Sequence, residues 1–284
     1  MIIWLASYPK SGNTWVRSFL NSLFFTKDGA PDINNLKIGQ FPERRFFNNL
    51  VKDVHDLKEL SKNWIMAQNV MNLDGKKKFL KTHNTFCKID GNYFTDNKNT
   101  TAVIYIVRDP RNVVTSIMHH YEKKDYQEAL DFLLDENRII GGNKYKMFNR
   151  IDDGILTLIG SWKSNYISWK KFSKNLYLIK YENLLKNPEN EFIKLSDFLS
   201  ELLNIKIDVT RIKKSVISND FNSLKSLEQK NGFVESAFSH KMGKKKSSFF
   251  NLGPKNNWQK LINENIKTQI EKNFNNEMKE LGYL

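Results

Sequence analysis

The chain is predicted to fold as an α/β domain with a central parallel β-sheet flanked by helices, and two stretches predict it. Ile2–Ala6 is a short apolar run typical of a buried strand, and from Asn13 onward apolar residues recur at helical spacing. Further along, Thr101–Val107 is continuously apolar and rich in β-branched residues, as a strand buried on both faces of a parallel sheet is. We find no internal repeat and no convincing linker, so we expect a single domain over residues 1–284.

The composition is that of a soluble globular protein with a basic surplus. Hydrophobic residues make up 40% of the chain, which is enough for a substantial core. The formal net charge is +14, which favours an anionic partner such as a phosphorylated cofactor, nucleic acid or an anionic membrane surface. A lysine-rich solvated surface would give the same surplus, so the charge alone does not choose among these partners.

Cysteine usage and hydropathy predict a cytoplasmic protein. Cys87 is the only cysteine, so no intrachain disulfide can form and a reducing compartment is expected. No apolar run approaches the ~20 residues of a membrane span. The N-terminus also lacks the charged region and the long apolar core of a signal peptide.

The turn between the first strand and the first helix is predicted to bind an anion. It reads Tyr8-Pro9-Lys10-Ser11-Gly12, in which Pro9 and Gly12 favour a tight turn. Backbone N–H groups of such a turn and of the following helix start converge, the helix dipole adds positive charge, and Lys10 can add a full charge. The helix should end near Thr26–Gly29. Because the lysine precedes the glycine, this is not the G-x-x-x-x-G-K-[ST] phosphate loop, and a plain β-turn with a surface lysine is the alternative.

Residues 28–77 are predicted to be an irregular insertion that carries acceptor-binding loops, with a helix around Val54–Asn63. The next segment, Lys76–His83, reads as a short strand that ends in a histidine. In parallel sheets, ligand-binding and catalytic residues lie beyond the carboxyl ends of the strands. A lone histidine is usually structural, but this position makes His83 a candidate for catalysis.

The strand at Thr101–Val107 runs into a second candidate anion site. Arg108 follows the strand directly, Asp109 is suited to be an N-cap, and Pro110 is suited to the first helical position. Ser116 lies two helical turns further on, so Arg108 and Ser116 could converge on one anion. Asp109 could instead be a carboxylate for magnesium, but its place before Pro110 favours capping.

The second half of the chain continues the alternation of helices and strands. Ile155–Phe172 shows the apolar spacing of an amphipathic core helix. Asn175–Lys180 is predicted to be a strand, and Asn187-Pro188 to cap a helix at Glu189–Leu199. The remainder, Gln259–Leu281, is predicted to be one terminal amphipathic helix.

Three of these segments together resemble the sulfotransferases that use 3′-phosphoadenosine 5′-phosphosulfate (PAPS). The string from Tyr8 to Trp15 resembles their 5′-phosphosulfate-binding loop, with Asn13 where the family usually has threonine. Lys81-Thr82-His83 resembles the motif whose histidine is the general base. Arg108 and Ser116, eight residues later, resemble the pair that holds the 3′-phosphate. The resemblance implies a three-layer fold like that of the P-loop NTPases.

Weaker resemblances extend toward the C-terminus. Tyr181-Glu182-Asn183-Leu184 is similar to the signature whose tyrosine contacts the adenine, and Phe221 to the phenylalanine that flanks it. Phe250–Gly253 is similar to the segment that closes over the cofactor, within a predicted cofactor- or acceptor-binding loop at 230–256.

The largest departure from the family lies in that segment. Asn251-Leu252 stand where the family has Arg-Lys, so two cations for the 3′-phosphate are lost. A charge-assisted hydrogen bond to an anion contributes about 1.5–3 kcal/mol, so affinity for this phosphate should fall unless Lys255 or Lys244–Lys246 compensate.

The resemblance implies in-line transfer of a sulfuryl group from PAPS to a hydroxyl, less readily an amine, with no metal. His83 would take the acceptor proton, Lys10 would stabilise the leaving 3′-phosphoadenosine 5′-phosphate (PAP), and Lys81 would assist. Trp15 and Phe221 would sandwich the adenine, with Tyr181 at its edge. The implied cofactor-binding residues are Lys10, Ser11, Gly12, Asn13, Thr14, Trp15, Arg108, Ser116, Tyr181, Phe221, Phe250, Asn251 and Gly253. The acceptor would be a small molecule or a glycan, nucleic acid is not expected, and a homodimer stays open.

Two other functions are compatible with the same fold. A magnesium-dependent nucleotide kinase or NTPase would need the lysine directly after the glycine and a metal-binding carboxylate, and the sequence shows neither convincingly. A basic nucleotide-binding homologue without activity would explain the missing Arg-Lys pair, but it would have no need of a base at His83.

Overall fold

The computed structural model describes residues 1–142, 155–172, 174–236, 238–239 and 245–284, with only the backbone described at 238–239 and 245–246. The strands are β1 (Ile2–Ser7), β2 (Gly39–Gln40), β3 (Lys78–Thr82), β4 (Lys88–Ile89), β5 (Asn92–Tyr93), β6 (Thr100–Val107), β7 (Ile139–Ile140), β8 (Thr157–Leu158), β9 (Leu176–Lys180), β10 (Phe238–Ser239) and β11 (Lys245–Lys246). Within the described residues, a five-stranded sheet has the order β2-β3-β1-β6-β9, and all of its neighbours pair in parallel.

Helices connect these strands. They are α1 (Asn13–Phe25), α2 (Leu57–Asn72), α3 (Pro110–His120), α4 (Tyr126–Leu134), α5 (Trp162–Lys170), α6 (Tyr181–Lys186), α7 (Pro188–Leu203), α8 (Val209–Ser218), α9 (Phe221–Asn231), α10 (Trp258–Leu261), α11 (Glu264–Asn273) and α12 (Asn275–Glu280). Among the described residues, none of these helices is both long and apolar enough to span a bilayer.

Helices cover both faces of the sheet. Successive side chains of a strand point to opposite faces. In β1, Trp4 and Ala6 therefore pack into an apolar cluster with residues of α2, α4, α5 and α11. Ile3 and Leu5 pack into a second cluster with residues of α1, α7 and α8. This arrangement confirms the predicted three-layer α/β fold with a central parallel sheet.

The carboxyl ends of four parallel strands meet at one edge of the sheet. Lys10 lies in the turn after β1, His83 follows β3, Arg108 follows β6 and Tyr181 follows β9. This edge is where α/β proteins of this type bind ligands. The fold therefore brings together four residues that are far apart in the sequence.

Two helix predictions from the sequence were wrong in extent. Ile155–Phe172 is not one helix, since α5 starts only at Trp162. There Ser161 and Ser164 form a reciprocal capping box, which starts the helix at that position. The segment before it contains β8, which pairs with β7.

The predicted terminal helix at Gln259–Leu281 is also divided, into α10, α11 and α12. Asn263 accepts a hydrogen bond from the backbone N–H of Ile266 and so begins a new helix. Capping therefore outweighed the amphipathic pattern, which runs through the breaks without interruption.

The insertion at residues 28–77 holds more regular structure than predicted. Its helix, α2, starts after the Asp56 N-cap and is longer than the Val54–Asn63 prediction. The insertion also contributes β2 to the sheet, where Gly39 pairs with Leu80 of β3.

Candidate active site

The turn after β1, here called the cradle, has a tight backbone conformation that suits the predicted binding of an anion. Lys10 and Gly12 both have positive φ, of 68° and 101°, which directs the chain tightly into α1. No side chain caps the N-terminus of this helix. The Trp15 N–H donates to Gly12 O at 3.0 Å. The N–H groups before it in such an uncapped helix start have no intrahelical acceptor, so they are available to an anion.

Asn13 connects the cradle to the strand before it. Its side-chain amide donates to Leu5 O at 3.0 Å and to Ser7 Oγ at 3.1 Å. The side chain therefore points toward β1, and it is the backbone of Asn13 that faces the cradle as the first residue of α1. This is the position where a threonine is usual in the family that the sequence resembles.

Gly12 is required at its position by a neighbouring ring. A Cβ at this residue would lie 2.4 Å from Cδ2 of Tyr181. The Tyr181 ring also meets Trp15 edge to face at 6.0 Å between centroids. The close approach of Tyr181 to the cradle therefore depends on the missing side chain.

Arg108 and Ser116 converge as the spacing predicted. The Arg108 guanidinium donates through Nη1 to Lys10 O at 3.1 Å and to Ser116 Oγ at 3.4 Å. Its Cζ lies 4.2 Å from the centroid of the Tyr181 ring. Arg108 therefore bridges the turn after β1 and helix α3.

Asn256 completes this end of the site and was missed by sequence reasoning. Its Nδ2 donates to Ser116 Oγ at 3.1 Å and to Asn112 O at 3.0 Å. Its Oδ1 accepts from Thr115 at 2.7 Å. An asparagine in a loop two residues before Trp258 carries no sequence signal of its own, so only the fold reveals this contact.

The orientation of His83 leaves one ring nitrogen available as a base. Nδ1 lies 2.8 Å from the carbonyl oxygen of Ser7. A carbonyl can only accept, so Nδ1 carries the proton and Nε2 carries a lone pair, to which no group of the described residues donates a hydrogen bond. The ring is partly exposed to the cavity. Burial, followed by the charges of Lys81 and Lys10, lowers the pKa of His83 to about 3 in the ligand-free protein, which keeps the imidazole neutral.

Lys10 lies among other cations. Burial, followed by the charge of Arg108, lowers its pKa to about 7, while Glu235 acts in the opposite direction. Its Nζ lies 4.1 Å from the centroid of the Phe249 ring. An anion bound here would raise this pKa, because it favours the charged form.

Glu235 and Arg17 also line the site and were not singled out from the sequence. The Glu235 carboxylate lies 2.6 Å from Nη1 of Arg17 and 3.5 Å from Nζ of Lys81. Arg17 lies on α1 one turn after Thr14, so helical spacing could have identified it. Glu235 lies 218 residues away from Arg17 in the chain, and nothing in its local sequence predicts the contact.

The segment after α9 closes one side of the site. Gly253, with φ of 51°, lies against Phe221, and a Cβ there would be 2.1 Å from that ring. Phe250 is buried in an apolar cluster with Phe233 and Leu224. The carbonyl of Asn251 accepts from Lys225 Nζ at 3.1 Å.

One carboxylate holds this segment in place. Glu228 is buried and accepts hydrogen bonds from the backbone N–H groups of Phe249 at 2.6 Å and Phe250 at 2.9 Å. Lys255, one of the suggested replacements for the missing cations, is exposed and is not among the described residues that line the cavity. The side chains of the other suggested replacements, Lys244–Lys246, lie outside the described residues.

A single cavity of about 760 Å³ unites these elements. Every sequence-predicted site residue lines it except Ser11, which is buried. The lining also includes parts of the 28–77 insertion, among them Gln40, Pro42 and Arg45. Among the described residues there is no group of three or more His, Cys, Asp or Glu side chains that could hold a metal ion.

Comparisons with known proteins find sulfotransferases among the relatives of this chain. The chain is 24% identical over 272 residues to the luciferin sulfotransferase of Photinus pyralis. The matched region covers 92% of this chain and 67% of that relative. It is 23% identical over 280 residues to the flavonol 3-sulfotransferase of Flaveria bidentis, covering 95% of this chain and 79% of the relative.

Solved structures show the same fold. A mouse sulfotransferase crystallised with PAP matches with a TM-score of 0.58 and 18% identity, covering 98% of this chain and 84% of the other. A retinol dehydratase in complex with retinol and PAP matches with a TM-score of 0.57 and 17% identity, covering 98% and 81%. The family model described as the sulfotransferase domain matches residues 2–282. Since that match spans nearly the whole chain, the protein belongs to the sulfotransferase domain family.

Proposed function

We propose that this protein transfers a sulfuryl group from PAPS to a hydroxyl of an acceptor, with PAP as the other product. The observation that carries the proposal is the convergence of Lys10, Lys81, Arg108 and the free Nε2 of His83 on one cavity. Cations that can hold a polyanionic donor thus lie beside a neutral base that can accept a proton. The relatives named for luciferin and a flavonol, and those crystallised with PAP, support the same reaction.

The cradle fits the phosphates of PAPS because buried donors in it have no hydrogen-bond partner. In the part of the chain that the structure describes, Ser11 Oγ, Trp15 Nε1 and Arg108 Nε are buried and unpartnered. An unsatisfied buried donor destabilises a protein by about 1–3 kcal/mol, and a ligand that bound beside these three donors would remove that cost. Phosphate oxygens would satisfy Ser11 and Arg108.

The residues divide between the two ends of the nucleotide. The backbone of residues 10–14 and the Lys10 ammonium would hold the 5′ end, and Arg108 with Ser116 the 3′-phosphate. Trp15 and Phe221 would enclose the adenine with Tyr181 at its edge. In the segment after α9, Phe250, Asn251 and Gly253 would contact the nucleotide.

His83 would remove the proton of the acceptor hydroxyl through Nε2. PAPS supplies the sulfuryl group, whose new bond to the acceptor oxygen replaces its bond to the 5′-phosphate oxygen. Lys10 would stabilise the charge on that departing oxygen, and Lys81 would stabilise charge on the sulfuryl oxygens. Because the pKa of His83 is depressed, the imidazole is unprotonated and ready to act at neutral pH.

A magnesium-dependent kinase is disfavoured by the state of Asp109. Its carboxylate accepts from the Arg111 backbone at 2.9 Å and from the Arg111 guanidinium at 2.7 Å. Both oxygens are thus used for capping and for an ion pair, as the sequence indicated.

The proposal also includes a small-molecule or glycan acceptor and a cytoplasmic location.

Calorimetry with PAP, ADP and ATP tests the nucleotide. We expect PAP to bind most tightly, since Arg108 and Ser116 are placed for a 3′-phosphate. Arg108→Ala should weaken PAP binding by about 2 kcal/mol, the contribution of a charge-assisted hydrogen bond, and Lys213→Ala on the surface should not. Tighter binding of ATP with magnesium would favour the kinase instead.

A screen of hydroxyl acceptors with labelled PAPS, run with and without chelator, tests the reaction. We expect transfer to at least one acceptor, unaffected by the chelator. PAP binding without transfer to any acceptor class would instead favour the non-catalytic homologue.

A further inference from the structure

A buried ion cluster lies beside the cradle, and two of its three members, Arg17 and Glu235, have no role in the reaction as proposed so far. It consists of Arg17, Lys81 and Glu235, whose side chains are 9%, 8% and 9% exposed. Glu235 Oε1 lies 2.6 Å from Arg17 Nη1, and Oε2 lies 3.5 Å from Lys81 Nζ. Burying three charges is unfavourable unless they pair well, so the cluster needs a reason beyond stability.

The loop that carries Glu235 is fixed from both sides. Asn34 donates to Gly232 O at 3.0 Å and accepts from the Val234 N–H at 2.9 Å. Phe233, between them, is 1% exposed and packs against Phe250 at 5.8 Å between ring centroids. The structure therefore delivers the Glu235 carboxylate to a defined place in the cavity.

Arg17 holds the other side of the carboxylate rigidly. Its Nε donates to Ile38 O at 2.7 Å, directly before β2. The β2 strand in turn pairs with β3, where Gln40 lies opposite Lys81. The cluster thus joins α1, the sheet edge and the loop after α9 around the Lys81 ammonium.

We propose that Glu235 is a positioning residue for the transfer: held by Arg17, its carboxylate fixes the Lys81 ammonium in the cavity beside His83. This inference rests on the proposed sulfotransferase function. A lysine side chain has four rotatable bonds and loses much conformational freedom when it is fixed. The pairing with Glu235 fixes it before the substrates bind.

The same carboxylate also balances the charge of the site. The charged and titratable groups around it are Arg17 on α1, Lys10 in the turn, Lys81 and His83 at the end of β3, His120 on α3, and Glu228 on α9. Glu235 raises the pKa of Lys10 against the lowering by burial and Arg108. Without Glu235, the pKa of Lys10 would be lower. As the pH is raised, activity that needs the Lys10 ammonium would therefore be lost at a lower pH than in the wild type.

Glu235→Gln tests the inference, because it keeps the shape and removes the charge. We expect kcat to fall about 10- to 100-fold, since the Lys81 ammonium is no longer fixed where it would stabilise the transition state. The KM for PAPS and the PAP affinity should change less than about threefold. The alkaline limb of the pH–rate profile should move to lower pH, which a purely structural role would not produce.

Two variants control for folding and for a general loss of a carboxylate. Glu235→Asp keeps the charge, and it should have wild-type thermal stability and a kcat between those of Glu235→Gln and the wild type. If Glu235→Gln does not fold, the kcat and pH profile of Glu235→Asp test the inference instead. Glu189→Gln removes a surface carboxylate that pairs with Lys213, and it should behave as wild type.

A double-mutant cycle with Lys81→Met identifies the route of the effect. If Glu235 acts through Lys81, then Glu235→Gln should lower kcat little further in the Lys81→Met background. If Glu235→Gln lowered kcat equally in the wild-type and Lys81→Met backgrounds, this inference would be wrong. It would also be wrong if Glu235→Gln had the kcat and pH profile of the wild type. Neither result would contradict the proposed function. A wild-type protein that neither binds PAP nor transfers from PAPS would overturn the proposed function, and this inference with it.

Discussion

At the scale of single residues, the environment of His83 is compatible with its proposed role as a base, although cations surround it. Burial, followed by the charges of Lys81 and Lys10, lowers its pKa, which weakens the imidazole as a base but keeps it unprotonated. The hydrogen bond from Nδ1 to Ser7 O fixes the tautomer. A bound polyanionic donor would offset the two lysines and raise the pKa toward the range where a base is most effective.

His83→Ala should lower kcat by at least ~10²-fold and leave PAP affinity nearly unchanged, because the imidazole serves the acceptor side. Steady-state kinetics and calorimetry measure the two quantities. A variant that retains wild-type turnover with any good acceptor would remove His83 from the mechanism.

The depressed pKa also determines the pH behaviour. The unprotonated base is present above its pKa and is lost as pH falls through it, so the acid limb of kcat/KM for PAPS should lie well below 6.5. The stability of the fold depends on pH in the same direction. The unfolded histidine binds a proton near pH 6.5 while the folded one does not, so acid destabilises the folded protein. When the pH is lowered from 7 to 5, the unfolding free energy of His83→Ala should therefore fall less than that of the wild type.

At the scale of elements, the junction between β1 and α1 determines whether the cradle can form. Its geometry requires a left-handed backbone at Gly12 and space for the Tyr181 ring, and both depend on a residue without a side chain. The helix start then faces the cavity without a side-chain cap.

Gly12→Ala should weaken PAP binding more than tenfold, because the new Cβ would overlap Tyr181 and distort the turn. Gly75→Ala is the matched control, since that glycine also has positive φ (66°) but no atom within 4 Å of the added Cβ. The control should lower stability by about 1 kcal/mol and leave binding intact. Equal PAP affinity in Gly12→Ala and wild type would show that the turn does not contact the nucleotide.

At the scale of the whole molecule, the proposed binding of a nucleotide would be coupled to folding. The site is assembled from α1, β3, β6, α3 and the segment after α9, so an unfolded chain has no equivalent of it. A ligand that binds only the folded state stabilises it by mass action.

PAP at 100 times its Kd should therefore stabilise the fold by about 2.7 kcal/mol and raise the Tm by roughly 5 °C or more. Differential scanning calorimetry with equal concentrations of PAP and ADP measures the difference between the nucleotides. A larger shift with ADP would contradict the role assigned to Arg108 and Ser116.

The sequence determined the parts of this protein that depend on local chemistry. The short apolar runs at Ile2–Ala6 and Thr101–Val107 were predicted to be buried strands and form β1 and β6, and Asp109-Pro110 marks a helix start by its own capping. Arg108 and Ser116 were predicted to converge because both lie on one strand–helix unit, whose geometry is nearly constant.

The tertiary structure alone decided where distant segments meet. Pairs such as Arg17 with Glu235 and Ser116 with Asn256 lie far apart in the chain, and no local pattern predicts which loops the packing brings together. The same holds for the breaks within residues 155–172 and 259–281, where capping outweighed periodicity. Local propensities act over a few residues, whereas the place of a loop is set by the burial of the whole core, so its contacts appear only when the fold is complete.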